Sequence, residues 1–228
     1  MNKLSSRALT LAIATGAALA GSTAFAAAGD WIVRGGVTAV SPNEDSDAIF
    51  ASELAPEPVA GSEVSVDSNV RPSFTIAYML TDAIAVELIG AFPFEHEISG
   101  AGTAGVLGEL AEVKHLPPTV SLQYHFNMGA FKPYVGAGLN YTVFFDEKIT
   151  NADLKSLGYD DIELDDSFGY ALQVGADYDI GNGWLLNADV RYIDIETEAE
   201  LKGDGVTGYV DDVKIDPVVY TLAIGKRF

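Results

Sequence analysis

The chain has 228 residues, of which 48% are hydrophobic, and its 33 acidic and 13 basic residues give a formal net charge of −20 at pH 7. This charge excludes nucleic acid as an expected partner, because binding a phosphate backbone requires a basic surface. The chain has no cysteine, which excludes disulfides, thiolate metal sites and a cysteine nucleophile. A high content of acidic residues and a high content of hydrophobic residues are compatible if the charges lie in the connections and the apolar residues lie in strands.

The N-terminal segment has the three parts of a secretory signal peptide. Lys3 and Arg7 supply a positive start, an Ala/Leu/Ile-rich run follows at 9–20, and small residues near position 26 suit cleavage. The apolar run is shorter than the roughly 20 residues that a membrane-spanning helix needs. We therefore predict a cleaved signal peptide over 1–26 and one exported domain over 27–228.

Four segments in the first part of this domain alternate apolar with small or polar residues, the period of two that predicts a β-strand. In chain order they cover 30–40, 68–78, 84–94 and 117–126. Their apolar faces are predicted to point outward and carry Trp31, Val33, Val37, Phe74, Ile76, Tyr78, Val86, Leu88, Phe92, Val120, Leu122, Tyr124 and Phe126. The opposite faces carry charged, hydroxyl and small residues and are predicted to point inward.

The second part of the domain repeats this pattern in four further segments, which cover 133–145, 167–178, 184–192 and 217–228. Their outward residues include Val135, Leu139, Tyr141, Phe168, Tyr170, Leu172, Val174, Tyr178, Trp184, Leu186, Val190, Tyr192, Tyr220, Leu222 and Ile224. Phe228, which ends the last strand, is predicted to be the membrane-insertion signal. The expected partners of this strand are the barrel-assembly machinery and the first strand, which it would meet to close a barrel.

The connections between these strands alternate strictly between long and short. The long ones are acidic or glycine-rich, are expected to be solvated loops and cover 41–67, 95–116, 146–166 and 197–212. An even strand number with short periplasmic turns and longer external loops is typical of outer-membrane barrels. We predict an all-β fold: a closed, eight-stranded antiparallel transmembrane β-barrel with four long external loops and short periplasmic turns. A soluble barrel would place its large apolar residues inside, which is the opposite of this pattern.

The predicted interior carries charges of both signs. An eight-stranded barrel is only wide enough for side chains or one small ligand, so a wide aqueous pore is excluded. The inward charged residues are Arg34, Arg71, Glu87, Asp177, Asp189, Arg191 and Arg227. Because buried charges must be paired, we predict a salt-bridged plug rather than a conducting path or a proton relay.

Toward the long-loop end the inward residues become apolar. Ile89, Ala91, Phe144 and Ile193 are predicted to form a shallow apolar cup there. Two interpretations stay open: a binding site for a small hydrophobic ligand, or plain packing beneath the loops.

Other motifs do not predict catalysis, a metal or a cofactor. The glycines at 100–105 match G-x-G-x-x-G, the motif of dinucleotide-binding proteins, but they do not follow a strand of a βαβ unit. A flexible loop is therefore expected rather than a dinucleotide site. Glu95–Glu97 flank a histidine, but a solvated turn is favoured over a cation site. Ser121 and Ser167 lack a histidine at a predicted partner position, with the exception of His125 near the periplasmic end, so no enzyme is expected.

Several segments together resemble the OmpW family of outer-membrane proteins. They are Phe-Glu-His-Glu-Ile at 94–98, His-Leu-Pro-Pro at 115–118, Lys-Pro-Tyr-Val-Gly-Ala-Gly-Leu-Asn-Tyr-Thr-Val-Phe-Phe at 132–145, Gln-Val-Gly at 173–175 and Val-Arg-Tyr-Ile-Asp-Ile at 190–195. The resemblance implies a barrel that passes small hydrophobic molecules, with an apolar lumen open to the outside, a block toward the periplasm and lateral exit into the bilayer. Arg191 and Lys226 depart from the family, which often has an apolar aromatic at the first position and usually an aromatic at the second.

The function expected from these features is a channel or binding protein for passive passage of small hydrophobic molecules. Its expected partners are outer-membrane lipid and a small hydrophobic ligand. Two alternatives are a structural or adhesive barrel without transport and, less favoured, a lipid-modifying enzyme.

Overall fold

A computed structural model describes residues 27–52 and 57–228 of the chain. The predicted signal peptide at 1–26 lies outside the described residues. Within the described ranges, no helix has both the length and the apolar character needed to span a membrane.

The described residues are almost entirely β-structure. The strands are β1 (Trp31–Ser41), β2 (Phe50–Ala51), β3 (Ser62–Val66), β4 (Asn69–Met79), β5 (Ile84–Ala91), β6 (Phe94–Gly102), β7 (Glu109–Leu116), β8 (Thr119–His125), β9 (Phe131–Ile149), β10 (Tyr159–Leu164), β11 (Ser167–Gly181), β12 (Trp184–Ile193), β13 (Glu196–Gly203), β14 (Val206–Lys214) and β15 (Val218–Arg227). A 3₁₀ turn at Thr103–Leu107 and a one-turn helix, α1 (Ala152–Ser156), interrupt them.

Eight antiparallel strands form a closed barrel in the order β1–β4–β5–β8–β9–β11–β12–β15, and β15 returns to β1. The closing register pairs Arg34 with Gly225 and Thr38 with Thr221. It extends to the end of the chain, where the backbone N–H of Phe228 donates to the carbonyl of Trp31 at 2.9 Å. The predicted fold class, strand number and closure by the last strand are confirmed.

The two faces of these strands are also as predicted. Outward residues such as Val37, Leu139 and Leu222 are large, apolar and exposed, whereas their inward neighbours are buried. A continuous exposed apolar band is typical of a barrel whose outer wall contacts lipid. Among the outward residues, Lys226 lies at the short-turn end, where its ammonium group is 5.2 Å from the centre of the Trp184 ring and donates to the Asn182 carbonyl. These contacts let a charged side chain reach the edge of the membrane.

The prediction that the four long connections are solvated loops was wrong. Strands β2 and β3 form in the first connection, β6 and β7 in the second, β10 in the third, and β13 and β14 in the fourth. Strands β7, β6 and β3 continue the sheet from the upper half of β9, and β10, β13, β14 and β2 form a second sheet. The physical reason is a period of two within these segments: in β13 the side chains of Glu196, Glu198 and Glu200 are exposed, while Thr197 and Ala199 are buried.

The glycine-rich segment at 100–105 is likewise part of this folded extension rather than a flexible loop. It ends β6 and enters the 3₁₀ turn, and the N–H of Gly100 donates to the carbonyl of Gly108 at 2.8 Å. Gly102 has a φ of 56°, a conformation that glycine adopts without steric cost.

Two adjacent glycines of β1 provide a direct test of barrel closure. A Cβ on Gly36 would collide with the backbone of Leu222 and with Ala223 on β15, whereas a Cβ on Gly35 would meet nothing within 4 Å. We expect Gly36→Val to lower the yield of folded barrel severalfold, measured by heat-modifiable mobility on a denaturing gel. Gly35→Val, the same change on the outward face, should fold as the wild type does. Equal yields for the two variants would contradict this closing register.

Candidate functional site

The lumen is closed at its short-turn end by apolar side chains. Ile32, Ala77, Met79, Ala85 and Leu185 form a buried cluster there, and none of them is more than 2% exposed. This layer separates the next layer of the lumen from water on the periplasmic side.

Above this floor lies a group of paired charges that we call the charge cluster: Arg34, Glu87, Asp177, Asp189 and Arg191. The Arg34 guanidinium donates to both carboxylate oxygens of Asp177, at 2.9 and 2.5 Å, and to Glu87 at 3.1 Å. Arg191 donates to the other oxygen of Glu87 at 2.7 Å and lies 3.6 Å from Asp189. The charge cluster therefore joins β1, β5, β11 and β12 across the lumen.

Neutral side chains add further hydrogen bonds to the charge cluster. The Tyr134 hydroxyl donates to Asp189 at 3.0 Å, and the Asn187 amide donates to Asp177 at 2.9 Å. The Arg34 guanidinium carbon lies 5.8 Å from the centre of the Tyr134 ring. The period of two predicts that Tyr134 and Asn187 point into the barrel, but it gives neither residue a role because it assigns a face and not a partner.

Two of the seven predicted plug residues lie outside the charge cluster. Arg71 is opposite Thr38 in the β1–β4 register, toward the long-loop end, where it donates to the Pro93 carbonyl at 3.1 Å. Arg227 is opposite Ile32 in the β1–β15 register, toward the short-turn end, and lies 3.5 Å from Asp179. Arg71 is therefore two inward positions and Arg227 one inward position away from the level of Arg34. The single seven-residue plug is corrected to five central residues with one arginine on either side.

The four residues predicted to form an apolar cup are divided between two spaces. Ile89, Ala91 and Ile193 line a lower chamber of about 20 Å³. Phe94 also lines this chamber, which reaches down to Arg191 of the charge cluster. Phe144 instead lines a larger space above it.

This larger space, the upper cavity, has a volume of about 70 Å³. All four long connections contribute to its walls, which include Ile49, Val64, Ile98, Leu110, Val113, Ile149, Ile162, Val210, Val213 and Ile215. These residues are not identified from the sequence, because a segment expected to be a solvated loop predicts no buried face. The available signal was the alternation inside those segments, as in Val206, Gly208 and Val210 of β14, which are all buried.

Two histidines interrupt the apolar wall of the upper cavity. His96 and His115 are 3% and 4% exposed, and their ring centres lie 4.9 Å apart. The ring of His115 also lies between those of Phe94 and Phe144, with centres 5.5 and 5.8 Å away. His96 lies in β6 and His115 lies in β7, and both strands belong to the extension above the lipid-facing band.

Both imidazoles are held neutral at pH 7. Burial lowers the pKa of His96 below its usual value, although the neighbouring Asp67 opposes the shift. Burial, with the adjacent His96, lowers the pKa of His115 to about 3. The Nδ1 atom of His96 lies 2.6 Å from the carbonyl oxygen of Asp67, so this nitrogen carries the proton and Nε2 is an acceptor.

The histidine between Glu95 and Glu97 does not join them in a metal site. These residues lie in β6 rather than in a turn, and His96 faces the cavity while Glu97 is exposed outside. In the part of the chain that the structure describes, no three His, Cys, Asp or Glu residues are grouped to hold a metal ion.

Ser167 is one of the two serines considered as a nucleophile in the sequence analysis. Its hydroxyl accepts a hydrogen bond from the backbone N–H of Glu196 at 3.0 Å.

Comparison with known proteins identifies relatives across the whole described domain. The model of the OmpW family matches residues 27–228. Outer membrane protein W of Vibrio cholerae is 44% identical over 216 residues, which cover 93% of this chain and 95% of that protein. The crystal structure of the outer membrane protein OprG from Pseudomonas aeruginosa has a TM-score of 0.81 and 40% identity, covering 89% of this chain and 97% of that one.

A more distant relative carries a name from metabolism. The dibenzothiophene metabolism operon protein PahQ of Pseudomonas aeruginosa is 29% identical over 214 residues, which cover 91% of this chain and 92% of that protein. The predicted location in the outer membrane is confirmed by the relative from Vibrio cholerae and by the solved barrel.

Two glutamates provide a matched test of the charge cluster. Glu87→Gln leaves Arg34 and Arg191 without their shared carboxylate, and removing one partner of a buried ion pair costs about 3 kcal/mol or more. We expect this loss in the free energy of unfolding, measured by urea titration in lipid bilayers. Glu95→Gln removes the partner of Arg71 in a half-exposed pair 3.6 Å apart. It should cost less than about 1 kcal/mol. Equal losses in the free energy of unfolding would show that the charge cluster stabilises the barrel no more than the half-exposed pair does.

Proposed function

The chain belongs to the OmpW family of outer-membrane proteins, and from this premise we propose that it is an outer-membrane channel or binding protein for passive passage of small hydrophobic molecules. The observation that carries the proposal is the upper cavity, whose lining is apolar apart from His96 and His115. A concave apolar space with few polar groups is the usual form of a small-molecule site. The upper cavity lies among the long connections, which are on the external side of the barrel.

The charge cluster makes straight passage to the periplasm unfavourable. A molecule moving down the lumen from the lower chamber would meet Arg191 and then Arg34, both only 1% exposed and both paired with carboxylates. Separating these pairs in a low-dielectric interior leaves uncompensated charges, which is costly. The ligand therefore leaves the barrel by another path.

That path is sideways, through the wall beside the lower chamber. The β5–β8 ladder stops at the pair Ile89 and Thr119, and Pro117 lines the chamber just beyond it. Pro117 and Pro118 have no N–H with which to extend the ladder. A weakly paired wall next to an apolar chamber supports lateral release into the bilayer.

One relative supports the class of ligand. Dibenzothiophene, which the name of PahQ contains, is an apolar aromatic compound. The same apolar chemistry suits the walls of the upper cavity in this chain.

The proposal is tested by uptake of N-phenyl-1-naphthylamine, a fluorescent apolar probe, into proteoliposomes. We expect faster uptake than into empty liposomes of the same composition, and Ile89→Asp should slow it because a carboxylate would enter the lower chamber. The exposed control Val106→Asp, at a side chain 92% exposed, should not change the rate. Uptake equal to that of empty liposomes would favour a structural or adhesive barrel.

Binding is tested separately by an isosteric change in the upper cavity. Val113→Thr replaces a methyl group by a hydroxyl in a side chain that is 4% exposed. We expect it to weaken binding of 1-methoxyoctane severalfold, measured by equilibrium dialysis of protein-loaded against empty nanodiscs. Val106→Thr is the matched control and should bind as the wild type does. An unchanged affinity in Val113→Thr would locate the binding site elsewhere.

A further inference from the structure

The two cavity histidines have hydrogen-bonding capacity that the protein does not use. Among the described residues, the Nε2 atom of His96 and the Nδ1 atom of His115 are buried and have no hydrogen-bond partner. Buried polar atoms are normally paired, so an exception asks for an explanation. These two atoms belong to adjacent rings that both line the upper cavity, whose wall is otherwise apolar, and we call them the polar spot.

One of the two nitrogen atoms, Nε2 of His96, has a fixed role in hydrogen bonding. The Nδ1–H of His96 is engaged with the Asp67 carbonyl at 2.6 Å, so its Nε2 can only accept a hydrogen bond while the ring is neutral. Among the described residues, no hydrogen bond to the Nδ1 atom of His115 fixes the tautomer of this ring, so Nδ1 can accept or donate. The pair thus offers one fixed acceptor and one group that adapts to its partner.

A ligand group must match both properties. A hydroxyl can donate to His96 and also accept from His115, whereas an ether can only accept. A carboxylate would direct its negative charge at the acceptor Nε2 of His96, and the described lining of the upper cavity contains no Lys or Arg to compensate it. The charged residues Asp67, Arg71, Glu95, Glu97 and Glu112 line a separate polar cleft that His96 also borders.

We propose that the upper cavity selects apolar molecules that carry a neutral hydroxyl group, and that His96 and His115 bind this hydroxyl. The inference rests on the proposed function and adds a substrate class to it: aliphatic alcohols and phenols, in preference to hydrocarbons, ethers and carboxylates of the same size. The apolar body of the ligand contacts residues such as Val113 and Phe144, and the hydroxyl fixes its orientation.

The test compares 1-octanol, 1-methoxyoctane and octanoate at pH 7.5 by equilibrium dialysis, with empty nanodiscs subtracted to remove partitioning into lipid. We expect 1-octanol to bind about tenfold more tightly than 1-methoxyoctane, the effect of one regained hydrogen bond, and octanoate to bind most weakly. His96→Phe should remove the preference for the alcohol while keeping 1-methoxyoctane binding. His96→Gln, which restores an acceptor near the position of Nε2, should recover part of the preference.

The alternative outcomes are distinguishable. If wild type and His96→Phe show the same ratio of alcohol to ether binding, the selectivity proposal fails and the proposed function stands. If none of the three compounds binds above empty nanodiscs, both fail. Should His96→Phe not fold, the ¹⁵N resonance of the His96 Nε2 atom in the wild type decides the matter: it should shift with 1-octanol and not with 1-methoxyoctane, and a shift with neither would overturn the proposal.

Discussion

The pairing of two arginines with three carboxylates inside the barrel is the constraint on which the rest of the structure depends. Arg34 and Arg191 are both 1% exposed and share Glu87, so neither charge is stable without a carboxylate supplied by another strand. Because these strands bring their charges together across the lumen only when the barrel is closed in one register, the charge cluster favours that register and fills the lumen. A barrel filled at this level needs its ligand space elsewhere.

That space is built by the long connections. Since the eight-stranded lumen is narrow and occupied by the charge cluster, the chain continues its strands beyond the membrane and encloses the upper cavity with two small sheets. Acidic side chains on the outside of these sheets keep them soluble, while valine, leucine and isoleucine face inward. The same alternation that creates a lipid-facing wall below therefore creates an enclosed apolar space above, with the polar residues outside instead of inside.

Much of the barrel could be predicted from the sequence, whereas much of the site could not. A period of two identifies the eight barrel strands and their two faces, because the alternation within a strand such as β15 does not depend on its neighbours. It could not identify partners, which depend on register: Arg71 and Arg227 have inward positions like Arg34 but lie at other levels. The upper cavity was missed because its strands are short and acidic outside, and the role of His96 depends on one contact with the Asp67 carbonyl that no local pattern reveals.

If the proposed function is correct, apolar ligands occupy the upper cavity and do not pass the charge cluster. Paramagnetic broadening of backbone amide resonances by a nitroxide-labelled octyl chain, bound to the protein in nanodiscs, reports where such a ligand lies. The amides of Val113 and Val213, which line the upper cavity, should broaden, while those of Arg34 and Asp177 should keep their intensity. Broadening at Arg34 and Asp177 equal to that at Val113 would contradict the account, because it would place the ligand within the layer of paired charges.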